Sequence, residues 1–123
     1  VITLQKTMCY GKCPVYTITI HGNGQSVYVG KKNVDKIGKY EKRLEKVEAT
    51  NLIKAFEEAN FFDFQDEYTA KITDLPTTYI TFSSKGKTKK IRDYYGAPEE
   101  LKKLEKLVED IANSEGWTKI NQE

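Results

Sequence analysis

The sequence predicts an α+β domain: a mostly antiparallel, six-stranded sheet in the order ββββαββα, with two helices packed on one face. Three observations carry this prediction. Apolar and polar residues alternate in the first third of the chain and again over 77–93, and the turns between these stretches are too short for crossovers, so the strands they join are antiparallel neighbours. Two other stretches change to steps of three and four residues with one apolar face each, the mark of amphipathic helices. No repeat, low-complexity tract or linker interrupts the 123 residues, so residues 1–123 form a single domain long enough to bury a core.

Ile2 to Met8 reads as the first strand, and Pro14 to Ile20 as the second, with Tyr16, Ile18 and Ile20 on one face. His21-Gly22-Asn23-Gly24 supplies residues that accept positive φ for a tight reversal. Gln25 to Gly30 is the third strand, with Val27 and Val29 facing opposite to Tyr28. Lys31 to Lys39 is a polar loop, and Tyr40 to Glu45 a polar fourth strand. Ala49, Leu52, Ile53, Phe56 and Ala59 then mark the first helix, with Asn60 at its stop. Phe61, Phe62 and Phe64 follow as a plug for the end of the core; the competing reading is an exposed aromatic patch. Gln65 to Pro76 has no period and is expected to be a long ordered loop.

Thr77 to Ser83 alternates, with Thr78, Ile80 and Phe82 on one side. A turn over residues 84–87 leads to a return strand, Thr88 to Asp93. Pro98 suits the first position of the last helix, Glu99 and Glu100 complement its dipole, and Leu101, Leu104, Leu107, Val108 and Ile111 form its apolar stripe. Trp117 is expected to fold back onto the core. With the helices on one face, Tyr28, Thr77, Tyr79 and Thr81 are expected on the other, facing solvent or a weak partner.

The most constrained stretch is Cys9-Tyr10-Gly11-Lys12-Cys13-Pro14-Val15-Tyr16, which must turn the chain between the first two strands. Gly11 can take φ > 0 there, and Pro14, which has no N–H, suits the start of a strand. Cys9 and Cys13 admit four readings: a structural disulfide stapling the turn, two unbridged thiols, a redox pair, or part of a metal site. Redox pairs have two intervening residues and a thiolate at a helix N-terminus, whereas here three residues intervene between strand patterns. A zinc site needs further ligands, and His21 is the chain's one histidine. The structural staple is the favoured reading, and an even, closely spaced cysteine pair points to an oxidising compartment.

Twenty Lys and Arg against eighteen Asp and Glu leave a net charge of +2, a mixed surface rather than an electrostatic nucleic-acid binder. The basic run Lys85, Lys87, Lys89, Lys90 and Arg92 is read as protection of an edge strand, and no nucleic-acid partner is expected. No apolar run reaches transmembrane length. The sequence opens on Val1 with no signal peptide, so any targeting segment is expected outside this stretch.

Phosphate-loop and dinucleotide fingerprints are absent, no serine motif accompanies His21, and no calcium-loop spacing follows Asp66-Glu67. No catalytic residue, metal or cofactor is therefore expected. The best candidate binding residues are Tyr68 and Asp74 on the 65–76 loop, with Arg92, Asp93 and Tyr94 where the last strand meets the last helix. If the two segments meet, carboxylates, a guanidinium and phenols converge on a polar pocket. The plainer reading has Asp74 capping a turn, Arg92 pairing with a loop carboxylate, and the tyrosines burying their rings.

Several separated motifs together resemble a family of uncharacterised bacterial envelope domains of unknown function. They are Cys9-x-Gly11-x-Cys13-Pro14-x-Tyr16; Asn60-Phe61-Phe62; Tyr68-Thr69 with Thr73-Asp74-x-Pro76; and Asp93-Tyr94-x-Gly96-x-Pro98-x-x-Leu101. The resemblance spans nearly the whole chain, implies a periplasmic, secreted or lipid-anchored location, and brings no catalytic residues. The expected function is a non-catalytic binding or interaction module for an unknown protein or small ligand, its oligomeric state open. The alternatives are a thiol-disulfide redox protein using Cys9 and Cys13 and, more weakly, a small hydrolase centred on the Asp74 and Arg92 loops.

Overall fold

The computed structural model describes residues 1–9 and 11–120. The strands are β1 (Ile2–Lys6), β2 (Val15–Ile20), β3 (Gln25–Lys32), β4 (Gly38–Arg43), β5 (Glu67–Tyr68), β6 (Thr78–Ser84), β7 (Lys87–Asp93) and β8 (Thr118–Lys119). The helices are α1 (Lys46–Glu58) and α2 (Glu99–Ala112), with a 3-10 turn over Phe61–Asp63. The fold is α+β, and its single sheet runs β5-β7-β6-β1-β2-β3-β4-β8. Every neighbouring pair is antiparallel except β5 with β7. No helix among the described residues is long and apolar enough to cross a membrane.

The sheet has eight strands, not six. The two missed strands hold two residues each and cap the two edges: Glu67–Tyr68 beside the end of β7, Thr118–Lys119 beside β4. A two-residue strand has no period to read; it exists because a neighbouring strand offers unpaired N–H and C=O groups. The 65–76 segment is accordingly not wholly a loop. β3 also runs two residues further than expected, to Lys32, and β4 begins at Gly38.

Ile2, Leu4, Ile18, Ile20, Ile80, Phe82 and Ile91 alternate onto one face and join Leu52 and Phe56 of α1 and Leu101, Leu104 and Val108 of α2 in one core. The opposite face, including Thr3, Gln5, Thr17, Thr19, Tyr79 and Thr81, is half-buried. Tyr28 overturns the expected facing of β3. It lies opposite Ile18 on the helix side, 2% exposed, while Val27 and Val29 take the outer face. The cause is aromatic: its ring stacks on Tyr16 at 5.3 Å and meets Tyr40 at 6.1 Å and Trp117 at 5.8 Å. One such ring buries more apolar area than a valine, and β-branched valines fit a half-exposed pleated face.

The helices end as their sequences demand. Asn60 takes φ 56°, the left-handed conformation asparagine tolerates after a helix. Phe61 is buried and packs its ring against Phe56 and Phe82, and Phe62 meets Phe82 at 5.5 Å, so the phenylalanines do plug the core. Pro98 is the N-cap of α2, not its first helical residue, and its carbonyl accepts from the Leu101 and Lys102 N–H groups. The stripe of α2 is also revised: Leu107 is exposed, and Glu105 occupies the buried position an apolar count passes over. Trp117 returns to the core, its Nε1 donating to the Ile111 carbonyl at 3.1 Å.

Candidate functional site

The expected pocket residues take three different places. Arg92 and Tyr68 are brought together by the parallel pairing of β5 with β7, in which Glu67 faces Arg92 and Tyr68 faces Asp93. The Arg92 guanidinium lies 3.3 Å from Glu67 Oε1 and 5.2 Å from the Tyr94 ring centroid. Tyr94 Oη donates to the Ile72 carbonyl, and the Tyr94 and Tyr95 N–H groups donate to the Tyr68 carbonyl. Arg92, Tyr68 and Tyr94 thus tie the 65–76 segment to β7. Asp74 is exposed at φ 71°, beside a depression shared with Met8, Cys9 and Leu75, and no ion pair or hydrogen bond among the described residues links it to Arg92.

Asp93 points the other way. Its carboxylate is sealed under α2, where Lys102 Nζ lies 2.7 Å from Oδ2 and Glu105 is 3% exposed. Although Lys102 forms an ion pair with Asp93 Oδ2, neither Asp93 carboxylate oxygen nor Glu105 Oε2 has a hydrogen-bond partner among the described residues. They explain each other. Burial first, and the hydrogen bond and charge of Asp93 next, push the Glu105 carboxyl up to about 9, so at neutral pH it carries a proton to share with Asp93. Burial pulls the Lys102 ammonium down, but the close contact with Asp93 and the charges of Glu105, Asp93 and Glu109 together more than offset this and leave it raised.

The basic run divides by facing. Lys89 opposes Phe82 on the helix side; its Nζ meets Asp66 at 3.1 Å and the Phe62 carbonyl at 3.3 Å. Lys90 opposes Thr81 on the outer face and lies over the Tyr79 ring at 4.7 Å. An inward-pointing lysine on a strand whose outer edge is paired only by a two-residue neighbour is a device against edge-to-edge pairing.

Cys9 and Cys13 form a disulfide across 5.8 Å between their Cα atoms. The bridge lies in the connection between β1 and β2, and neither cysteine begins a helix, so no helix N-terminus favours a thiolate there. The stapled turn is tied to the rest of the fold from the far side: Asn33 Nδ2 donates to the Cys13 carbonyl at 3.1 Å. Replacing both cysteines by serine is expected to cost about 2 kcal/mol, the chain-entropy value for so short a loop. Urea denaturation measures it; unchanged stability would show that the bridge holds nothing.

Beside this staple lies a polar cleft of about 510 Å³. The end of β1 contributes Lys6, Pro14 comes from just before β2, Tyr16 from the start of β2, and Tyr28 from β3. The loop joining β3 to β4 supplies Asn33, Val34, Asp35 and Lys36, and the last part of α2 with its C-cap supplies Glu109 and Asn113. The Lys6 ammonium pairs with Glu109. Lys36 Nζ sits 4.8 Å from the Tyr28 ring centroid. Tyr16 and Tyr28 are 4% and 2% exposed. Burial first, then Glu109 and Tyr28, push the Tyr16 phenol far above its ordinary value; burial, then Tyr40 and Asp35, push Tyr28 up to about 12. Both are neutral O–H groups at physiological pH, available as donors.

None of the cleft's lining residues is among the candidate binding residues read from sequence. Its residues come from four separated segments, and each alone is an ordinary surface or core residue. Only Pro14 and Tyr16 carried a signal, through the cysteine motif. No curated protein matches the chain. A family model described as a domain of unknown function matches residues 1–112, which include both cysteines and every cleft residue except Asn113. With every element from β1 through α2 inside that match, the chain belongs to the DUF6438 family.

Proposed function

We propose that this protein is a non-catalytic binding module of an oxidising, extracytoplasmic compartment, whether periplasmic, secreted or lipid-anchored at the envelope, and that it binds its ligand in the cleft beside the disulfide. The observation that carries the reading is the cleft's lining. Two buried phenols, two lysines and two carboxylates converge on one concavity of about 510 Å³. Small-molecule sites are concave, of about 300–1,000 Å³, with a few placed polar groups. The disulfide supports the compartment, since such bridges persist where thiols are not kept reduced.

Thermal-shift screening of peptides, sugars, nucleotides and organic acids tests it. A cleft ligand at 100 times its Kd should add about 2.7 kcal/mol of stability and raise the melting temperature by on the order of 10 °C. The shift should shrink in Lys36→Met and Asn113→Ala, which alter the lining of the cleft. Equal shifts in these variants, or turnover of a bound compound, would overturn the proposal.

A further inference from the structure

We propose that the cleft takes a zwitterionic ligand, a free amino acid or short peptide with uncapped ends, its carboxylate received by Lys36 with the Tyr16 and Tyr28 hydroxyls and its ammonium by Asp35. This rests on the cleft being the binding site.

The argument begins with which charges are already matched. Of the four charged side chains in the lining, Lys6 and Glu109 neutralise each other. Lys36 and Asp35 form no ion pair among the described residues, although they are adjacent on one loop. Lys36 is half-buried, and its ammonium rests over the face of Tyr28, an attraction that leaves its N–H donors unspent. Neither phenol hydroxyl makes a hydrogen bond among the described residues, and both tyrosines, though only 4% and 2% exposed, line the cleft. Three donors and one carboxylate therefore remain unmatched.

The chemistry of the leftover groups selects the ligand class. A carboxylate accepts from an ammonium and two phenols at once. A neutral sugar leaves both charges without a counterpart. A simple anion satisfies Lys36 but meets Asp35 as a like charge, and a simple cation meets the converse. A ligand carrying both signs a few bonds apart satisfies both.

Isothermal titration of the full chain with alanyl-alanine, its N-acetyl form, its C-terminal amide and the doubly capped form tests the class. The free dipeptide is expected to bind at least about tenfold more tightly than either singly capped form. Lys36→Met should abolish the preference over the amide, and Asp35→Asn the preference over the N-acetyl form, with melting curves confirming that both variants fold. Capped and free forms of equal affinity, all weakened by Lys36→Met, would overturn the zwitterion and leave the cleft standing. Affinity for the free dipeptide that neither variant changes would place it elsewhere and overturn both. No heat with any form overturns the class, while the wider screen still tests the cleft.

Discussion

Gly30→Ala is expected to lower the melting temperature by on the order of 10 °C and the unfolding free energy by about 3 kcal/mol. A Cβ at this position would stand 1.8 Å from the Lys36 carbonyl oxygen and 3.0 Å from Cε1 of Tyr28. Gly30 lies opposite Tyr16 on the helix side of β3, next to the register shift between Val15 and Tyr16. The β3–β4 loop can fold back over the strand because no side chain grows there. Backbone cannot yield as a flexible side chain can, so an added methyl must lift the loop or tilt the Tyr28 ring. Either movement deforms the cleft, and ligand affinity should fall with stability. Urea denaturation and calorimetric melting measure the first effect. A variant within about 0.5 kcal/mol of wild type, the usual range for surface changes, would mean that the loop does not pack on Gly30.

Glu105→Gln is expected to stabilise the protein, and more so as pH rises. The ordinary value of this carboxyl is 4.5 and its native value about 9, raised chiefly by burial. Between those values the unfolded chain releases the proton and the native chain keeps it. The native state then binds more protons, so stability falls by up to about 1.4 kcal/mol per pH unit from this group. Glutamine keeps a donor for Asp93 and has no proton to lose. Lys102, Lys6 and Asp93 also act on this carboxyl, the two lysines favouring its ionised form, so the full slope is an upper bound. A gain of a few kcal/mol near pH 8, shrinking toward zero near pH 5, is the expected result from unfolding curves taken across that range. A gain independent of pH, or a loss at every pH, would contradict a protonated Glu105.

How much of this was legible in the sequence depended on period. Tyr16, Ile18 and Ile20, or Thr78, Ile80 and Phe82, repeat every second residue and were read onto the correct face; all are buried. Ala49, Leu52 and Phe56 announced α1 in the same way. The failures have one cause, tertiary contact deciding what local pattern leaves open. Tyr28 turned inward because Tyr16, Tyr40 and Trp117 were there to receive it. Glu105 is buried because Lys102 and Asp93 make a polar environment for it. The expected convergence of Arg92 with the 65–76 segment does occur, through Glu67 and Tyr94, but its partnered groups fasten a loop. The cleft gathers Lys6, Tyr16, Lys36 and Glu109, residues up to 103 positions apart, and no local window of sequence contains them together.

The most direct test of the cleft as the seat of function is a heteronuclear NMR titration of uniformly labelled protein with alanyl-alanine. The expected result is a set of saturable shifts confined to Lys6, Tyr16, Tyr28, residues 33–36, Glu109 and Asn113. Saturable shifts gathered instead on the 65–76 segment, β7 or the outer face of the sheet, with the cleft amides unmoved, would contradict it.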